Sequence, residues 1–146
     1  MKVLQSKQQI SRSRDALEQM GASCLESFPL PLLKRLGVLK GPSVGDWLKS
    51  WDVLATLEFL AAKLPRDAAV LDIGCYSSEV PVALHKLGFT RVSGADLNPA
   101  LERMPFGDEI DYVKCNFMHT PFADGSFQAI TAISVIEHGF DGTALL

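Results

Sequence analysis

Apolar and polar positions along the chain form blocks that predict strands alternating with helices or loops. Residues 69–73 are a short, nearly all-apolar run, which is typical of a parallel strand covered on both faces. Residues 91–96, 110–115 and 128–136 predict three further strands. Strands separated at this spacing indicate βαβ units, a parallel sheet and right-handed crossovers.

Helical periodicity occurs on both sides of the first strand. Between residues 47 and 64, apolar positions recur as one stripe of an amphipathic helix. Pro65 ends this helix, because proline cannot continue the hydrogen-bond ladder. After the strand, Ser77 or Ser78 can cap another helix, and Gly88 suits the position just past its C-terminus.

The chain before the first long helix is harder to interpret. Residues 13–20 can form a short helix, and Pro29 and Pro31 interrupt the segment that follows. The first fourteen residues carry basic side chains and no acid, which predicts a solvated, partly frayed start in preference to a polyanion-binding arm. We therefore divide the chain into an N-terminal helical or irregular extension, residues 1–42, and a partial cofactor-binding domain, residues 43–146.

Composition narrows the class of protein. With 146 residues, 47% hydrophobic and 21% charged, the chain has the size and balance of one globular domain. A net charge of −3 gives no electrostatic reason to expect nucleic acid as a partner. No apolar run reaches the roughly 18 residues that a membrane span requires.

Cysteine usage and the N-terminal sequence bear on location. The three cysteines are an odd number at long spacings, which predicts neither a disulfide framework nor a zinc site. No apolar region followed by a small-residue cleavage site is found at the start, so no secretory signal is indicated. We expect a reduced, cytoplasmic protein that holds no metal.

The acids and glycines around the first strand point to a cofactor. Gly74 follows the strand directly, where glycine allows positive φ and a close approach by a ligand. Asp96 ends the second strand, where a carboxylate can accept hydrogen bonds from ribose hydroxyls. Tyr76 and Glu79 stand where a dinucleotide-binding loop has its later glycines. Glu79 and Asp72 would repel a phosphate, which favours a cationic cofactor without one.

Residues 69–138 resemble the class I S-adenosylmethionine-dependent methyltransferases. "VLDIGC" at 70–75 looks like their first motif and "GADLNP" at 94–99 like their second. The "PFADGSF" turn within 114–138, followed by an apolar strand and Glu-His, is the most specific match. The resemblance implies a Rossmann-like, doubly wound parallel α/β sheet with strand order 3-2-1-4 in this part, and S-adenosylmethionine as the cofactor.

The resemblance also implies roles for residues of the first two motifs. Asp72 would hold the methionine amino group through water, and Asp96 would accept hydrogen bonds from the ribose hydroxyls. The backbone of Gly74, Cys75 and Tyr76 would line the methionine and the ribose. Further residues are implied around the adenine.

Leu97 would lie against the adenine and Phe117 beside it. Asn116 stands where the family usually has aspartate, and its side-chain oxygen can still accept a hydrogen bond from the adenine amino group. Ser134 and Val135 would lie beneath the cofactor.

Several positions depart from the family pattern. Tyr76 and Ser78 replace two expected glycines, which questions the close backbone approach, and Gln128 replaces an acid. His138 is a candidate general base, because its usual pKa suits proton transfer near neutral pH. No other catalytic residue is indicated.

These features predict methyl transfer from S-adenosylmethionine to a small-molecule or glycan acceptor. Two alternatives remain open: a nucleotide-dependent oxidoreductase or epimerase on a similar sheet, and a methyltransferase-like module without catalysis. The family's fold continues through three more strands, so we expect this chain to be an N-terminal part that is inactive alone. Its fourth strand would then expose an apolar edge, and we expect self-association there.

Overall fold

The computed structural model describes residues 4–25, 30–38 and 41–135. Its strands form a parallel four-stranded sheet in the order β3-β2-β1-β4. The strands are β1, Ala69–Ile73; β2, Arg91–Asp96; β3, Asp111–Lys114; and β4, Ala129–Ala132. The predicted Rossmann-like sheet and its order 3-2-1-4 are confirmed.

The predicted and observed strand bounds agree best for the two central strands, β1 and β2. β1 and β2 begin and end where the apolar pattern places them. β4 ends at Ala132, so the strand predicted over 128–136 was too long. Ser134 has φ 56, a left-handed backbone conformation that is incompatible with an extended strand. Ile136 lies outside the described residues.

Within the described residues, four α-helices accompany the sheet: α1, Lys7–Gln19; α2, Leu30–Arg35; α3, Ser50–Lys63; and α4, Val80–Lys86. Two 3₁₀ helices, Trp47–Lys49 and Pro99–Arg103, precede α3 and follow β2. The helix predicted over 47–64 is therefore a 3₁₀ turn followed by α3, and it ends before Pro65 as expected.

The start of α4 differs from the predicted cap. The helix begins at Val80, with Glu79 in the N-cap position and no side-chain cap hydrogen bond. Ser77 has φ 62, and the Ser78 hydroxyl oxygen accepts a hydrogen bond from the Val80 N–H at 3.3 Å. The serines therefore shape the turn before the helix instead of capping it.

The end of α4 confirms the prediction. Gly88 has φ 87, and the N–H of Phe89 donates to the carbonyl of Leu84 at 3.1 Å. This Schellman arrangement needs a residue that tolerates the left-handed conformation, which glycine does without steric cost.

The N-terminal segment is more ordered than its basic composition suggested. α1 begins at Lys7 and packs along α3. Its buried face contains Ile10, Ser13, Arg14 and Leu17. Arg14 is only 4% exposed, so the expectation of a solvated start is wrong for this residue. The reason is its ion pair with Glu79, which lies 65 positions further along the chain.

One face of the sheet forms the core with the helices. Val70 of β1 and Val92 of β2 belong to the same buried cluster as Leu57 of α3 and Leu84 of α4. The other face has alternate side chains such as Leu71, which line a cavity of about 500 Å³. Within the described part of the chain, no helix is both long and apolar enough to cross a membrane.

Packing of α3 on the sheet can be tested with two substitutions in that helix. Leu57 is fully buried, so Leu57→Ala should lower the free energy of unfolding by about 2–5 kcal/mol. Phe59 is 62% exposed, so Phe59→Ala should change it by about 0.5 kcal/mol or less. Urea titration followed by circular dichroism measures both. Equal effects would contradict the placement of this helix.

Candidate functional site

A cavity of about 290 Å³ opens at the carboxyl ends of β1 and β2. Ligands of open α/β sheets bind at this edge, where loops leave the parallel strands. Six of the residues that the sequence assigns to cofactor binding line it: Gly74, Asp96, Leu97, Phe117, Ser134 and Val135. Ile73, Ala95 and Cys115 complete the wall.

Gly74 begins the turn after β1 and is required there for two reasons. Its φ is 73, and its N–H donates to the carbonyl of Ala95 at 2.8 Å. A Cβ atom at this position would lie 2.3 Å from Cγ2 of Val135. Any larger residue would therefore be strained and would also collide with the wall of the cavity.

Asp96 is held at the cavity by backbone hydrogen bonds. Its Oδ2 accepts from the N–H of Tyr76 at 2.9 Å, and its Oδ1 accepts from the N–H of Asn98 at 2.8 Å. Each carboxylate oxygen has a second lone pair that can accept from a ligand. The carboxylate is thus oriented before any ligand arrives.

Asp72 is a buried acid with incomplete hydrogen bonding. The residue is 1% exposed, and its Oδ1 accepts from the Thr131 hydroxyl at 2.6 Å. Its Oδ2 has no hydrogen-bond partner among the described residues. Burial raises the pKa of Asp72 to about 6, and the negative charge of Asp96 adds to this effect, which the Thr131 and Ser78 hydroxyls oppose.

Cys75 and Tyr76 contribute to the turn mainly through their backbones. The Cys75 side chain is fully buried, and a Cβ on Gly94 would lie 2.7 Å from its Sγ. Burial raises the pKa of the Cys75 thiol, which disfavours the reactive thiolate. The Tyr76 side chain packs against the hydrophobic core.

The predicted adenine end is only partly assembled at the cavity. Leu97, 61% exposed, and Phe117 line it. Asn116 is not among the lining residues, and its Oδ1 accepts from the N–H of Met118 at 3.0 Å. His138 lies outside the described residues.

Thr131 and Lys49, which the sequence did not single out, also contact residues of the predicted site. Thr131 contacts Asp72 because the β1–β4 register pairs these two positions, and register is not readable from a local pattern. Lys49 donates from its Nζ to Oγ of Ser134, which lines the cavity. No local signal marks Lys49, since the contact joins segments far apart in sequence.

Gln128, which replaces an acid of the family pattern, has a structural role. Its side-chain Oε1 accepts from the N–H of Ala69 at 2.6 Å, and its backbone N–H donates to the carbonyl of Ala69 at 2.9 Å. The side chain and the backbone of Gln128 thus both fix the start of β4 beside the first residue of β1.

The repulsion of phosphate by Glu79, inferred from the sequence, is wrong. Glu79 is 2% exposed, and its two carboxylate oxygens accept from Arg14 at 2.7 and 2.8 Å. Its charge is compensated by this guanidinium. Asp96 is therefore the acid that lines the cavity, whereas Asp72 is buried and is not among the lining residues.

In the segments that the structure describes, no cluster of three or more His, Cys, Asp or Glu side chains could hold a metal ion. The polar groups at the cavity are instead carboxylates, hydroxyls and backbone amides. Such groups suit an organic ligand that donates hydrogen bonds or carries positive charge.

Comparison with known proteins agrees with this geometry. The family model described as methyltransferase domain matches residues 71–146. The ubiquinone biosynthesis O-methyltransferase of Xanthomonas axonopodis pv. citri (strain 306) is 32% identical over 99 residues, which cover 62% of this chain and 41% of that protein. No solved structure matches. The family match spans more than half of the chain and includes the end of β1 with its turn, so the chain belongs to the class I S-adenosylmethionine-dependent methyltransferase family.

Proposed function

We propose that the cavity at the ends of β1 and β2 binds S-adenosylmethionine for methyl transfer to a small-molecule or glycan acceptor. The observation that carries this proposal is the pairing of two carboxylates at one glycine turn. Asp72 is buried with an unpartnered oxygen, and Asp96 is fixed by backbone hydrogen bonds. A cofactor with a cationic end and a ribose supplies what each of them lacks.

The methionine end of the cofactor fits the environment of Asp72. A buried carboxylate with a raised pKa is stabilised by a nearby positive charge, and this cofactor carries an ammonium and a sulfonium. A phosphate would place a further negative charge beside Asp72 and Asp96. We therefore assign Asp72 to the ammonium, through a bridging water.

The nucleoside end fits the opposite part of the cavity. The oriented oxygens of Asp96 would accept hydrogen bonds from the ribose hydroxyls. Leu97 and Phe117 offer apolar surface for the adenine. Gly74, Cys75 and Tyr76 would contact the cofactor through their backbones, with Ser134 and Val135 beneath it.

Bound S-adenosylmethionine supplies an electrophilic methyl group on its sulfonium. The residues of this chain hold and orient the donor, and alignment of donor and acceptor provides much of the rate in such transfers. His138 stays a candidate general base for the proton released by the acceptor, although such a transfer does not require a dedicated base.

The acceptor is proposed from a partial match, since the aligned part of this chain covers 41% of the O-methyltransferase it resembles. The name of that relative makes an oxygen atom the first acceptor to test. The net charge of −3 disfavours a nucleic acid acceptor, since nucleic acid binding depends on phosphate neutralisation.

Substitution of Asp96 tests the cofactor assignment. Asp96→Ala removes the acceptors for the ribose hydroxyls, so the Kd for S-adenosylhomocysteine should rise by about 10- to 100-fold. Asp108→Ala changes an exposed carboxylate and should leave the Kd within about twofold. Isothermal titration measures both. An unchanged Kd in Asp96→Ala removes the assignment. If the wild-type protein binds NAD but does not bind S-adenosylhomocysteine, the oxidoreductase alternative is favoured instead.

Asp72 makes stability depend on pH. Its pKa rises from 3.8 in the unfolded chain to about 6 in the folded one, so the folded state binds the proton more tightly. This contribution is fully present below about pH 4 and is lost as the pH rises through about 6.

Asp72→Asn removes the buried negative charge. Without cofactor, the variant should be more stable than wild type by about 1–3 kcal/mol near pH 7.5, and this gain should fall by more than half near pH 4.5. Asp67→Asn, at an exposed position, is the control and should change stability by about 0.5 kcal/mol or less. Urea titrations at the two pH values decide. A loss of stability near pH 7.5 would show that the buried carboxylate is already compensated.

We further propose that the 146-residue chain self-associates through β4. In the described sheet this strand pairs with β1 on one side, and Ile130 is 59% exposed. Unpaired strand edges favour intermolecular pairing, and lysine at an edge opposes it. Sedimentation velocity should show concentration-dependent association that Ile130→Lys reduces and Phe59→Lys does not. A monomer at every concentration would contradict the proposal.

A further inference from the structure

A buried ion pair joins the N-terminal helix to the turn that follows β1. Arg14 of α1 and Glu79 form two parallel hydrogen bonds, Nη1 to Oε1 at 2.7 Å and Nη2 to Oε2 at 2.8 Å. Their side chains are 5% and 1% exposed. Sixty-five positions separate the two residues, so the contact is a tertiary one.

Every donor position of the guanidinium is used. Nε donates to Oγ of Ser50 at 3.0 Å, Nη1 also donates to Oγ of Ser23 at 3.1 Å, and Nη2 also donates to the carbonyl of Asp46 at 3.5 Å. Glu79 in turn accepts from the N–H of Cys24 at 2.6 Å. A buried charge is tolerated when it is paired and its hydrogen bonds are satisfied in this way.

The Arg14–Glu79 ion pair is connected in two ways to the 74–78 turn, to which the cofactor is assigned. Glu79 is the residue between the 74–78 turn and α4, so fixing its side chain fixes one end of the turn. Gly45 donates its N–H to the carbonyl of Ser77 at 3.0 Å, and a Cβ on Gly45 would lie 3.1 Å from Oε2 of Glu79. The segment around Gly45 therefore contacts both the turn and the ion pair.

Ser77 is the residue of this turn that most needs support. It has φ 62, a conformation that residues with a Cβ adopt rarely and only where the surroundings enforce it. The contacts that enforce this conformation come from outside the sheet. The N–H of Gly45 donates to the carbonyl of Ser77, and the Met104 sulfur accepts from the Ser77 N–H at 3.4 Å.

We propose that Arg14 and Glu79 are positioning residues that hold the 74–78 turn in its cofactor-binding conformation. The proposal rests on the proposed function, because it assigns the cofactor to this turn. It makes residues of the predicted N-terminal extension a working part of the cofactor site. Neither side chain lines the cavity, so both act through the backbone of the turn.

The alternative is that the pair only attaches α1 to the rest of the protein. Leu17 separates the two possibilities, because it lies on the same helix, is fully buried and belongs to the hydrophobic cluster. Leu17→Ala weakens the attachment of α1 without touching the ion pair. Arg14→Met removes the guanidinium and keeps a long apolar stem.

The first measurement uses hydrogen exchange without cofactor. Arg14→Met should speed exchange of the Tyr76 and Ser78 amides by about tenfold relative to wild type. The two variants are compared at urea concentrations that give them equal global stability. Under these conditions, Leu17→Ala should leave these amides as protected as in wild type. Equal loss of protection in both variants would overturn the proposal.

The second measurement is cofactor affinity. Arg14→Met should raise the Kd for S-adenosylhomocysteine by about 10- to 100-fold, and Leu17→Ala should change it by about twofold or less. Arg14→Lys keeps the charge without the two-pronged geometry, so its effect should be intermediate. Adding Glu79→Gln to Arg14→Met should weaken binding no further, because the two side chains act as one unit.

The outcomes separate this proposal from the function on which it rests. If wild type does not bind S-adenosylhomocysteine but Arg14→Met still releases the turn, the proposed function fails and the positioning role stands. If wild type binds and Arg14→Met binds equally well, the positioning role fails. Should Arg14→Met not fold, Arg14→Lys replaces it in both measurements.

Discussion

The turn after β1 depends on the end of β2 for its hydrogen bonds, and the site follows from this dependence. The carbonyl of Ala95 accepts from the N–H groups of Gly74 and Cys75 at 2.8 and 3.3 Å, and Asp96 accepts from Tyr76. These amides would otherwise be buried without partners, which is costly. Because β1 and β2 are parallel neighbours, both carboxyl ends lie at one edge, and the cavity opens between them.

The charges at this edge favour a cationic ligand, although for a different reason from the one that the sequence suggested. Glu79 was counted as a repelling charge, but Arg14 compensates it. The uncompensated acid is Asp72, which is buried with one oxygen unpartnered. An ionised carboxylate in that position is unfavourable until a positive group approaches it. The same burial that destabilises the free protein therefore supports binding of a cation.

Local signals explain which elements were predictable. β1, β2 and the glycines at 74 and 88 depend on short apolar runs and on backbone conformations that glycine accepts most readily. The start of α4, the length of β4 and the role of Arg14 depend on contacts between distant segments. For Arg14 a signal does exist: it shares the buried face of α1 with Ile10 and Leu17. A charged residue on an apolar stripe indicates a buried partner, but not which one.

The two missing glycines are explained by where the turn bends. Gly74 has positive φ, and so does Ser77, whereas Tyr76 and Ser78 do not. Side chains at 76 and 78 therefore add no left-handed strain to the backbone, and the Tyr76 ring packs against the core. The strain lies at Ser77, where the hydrogen bond from Gly45 and the adjoining Arg14–Glu79 pair restrain the chain. The turn thus depends on contacts from outside the sheet, which is why the N-terminal helix matters to a site that it does not touch.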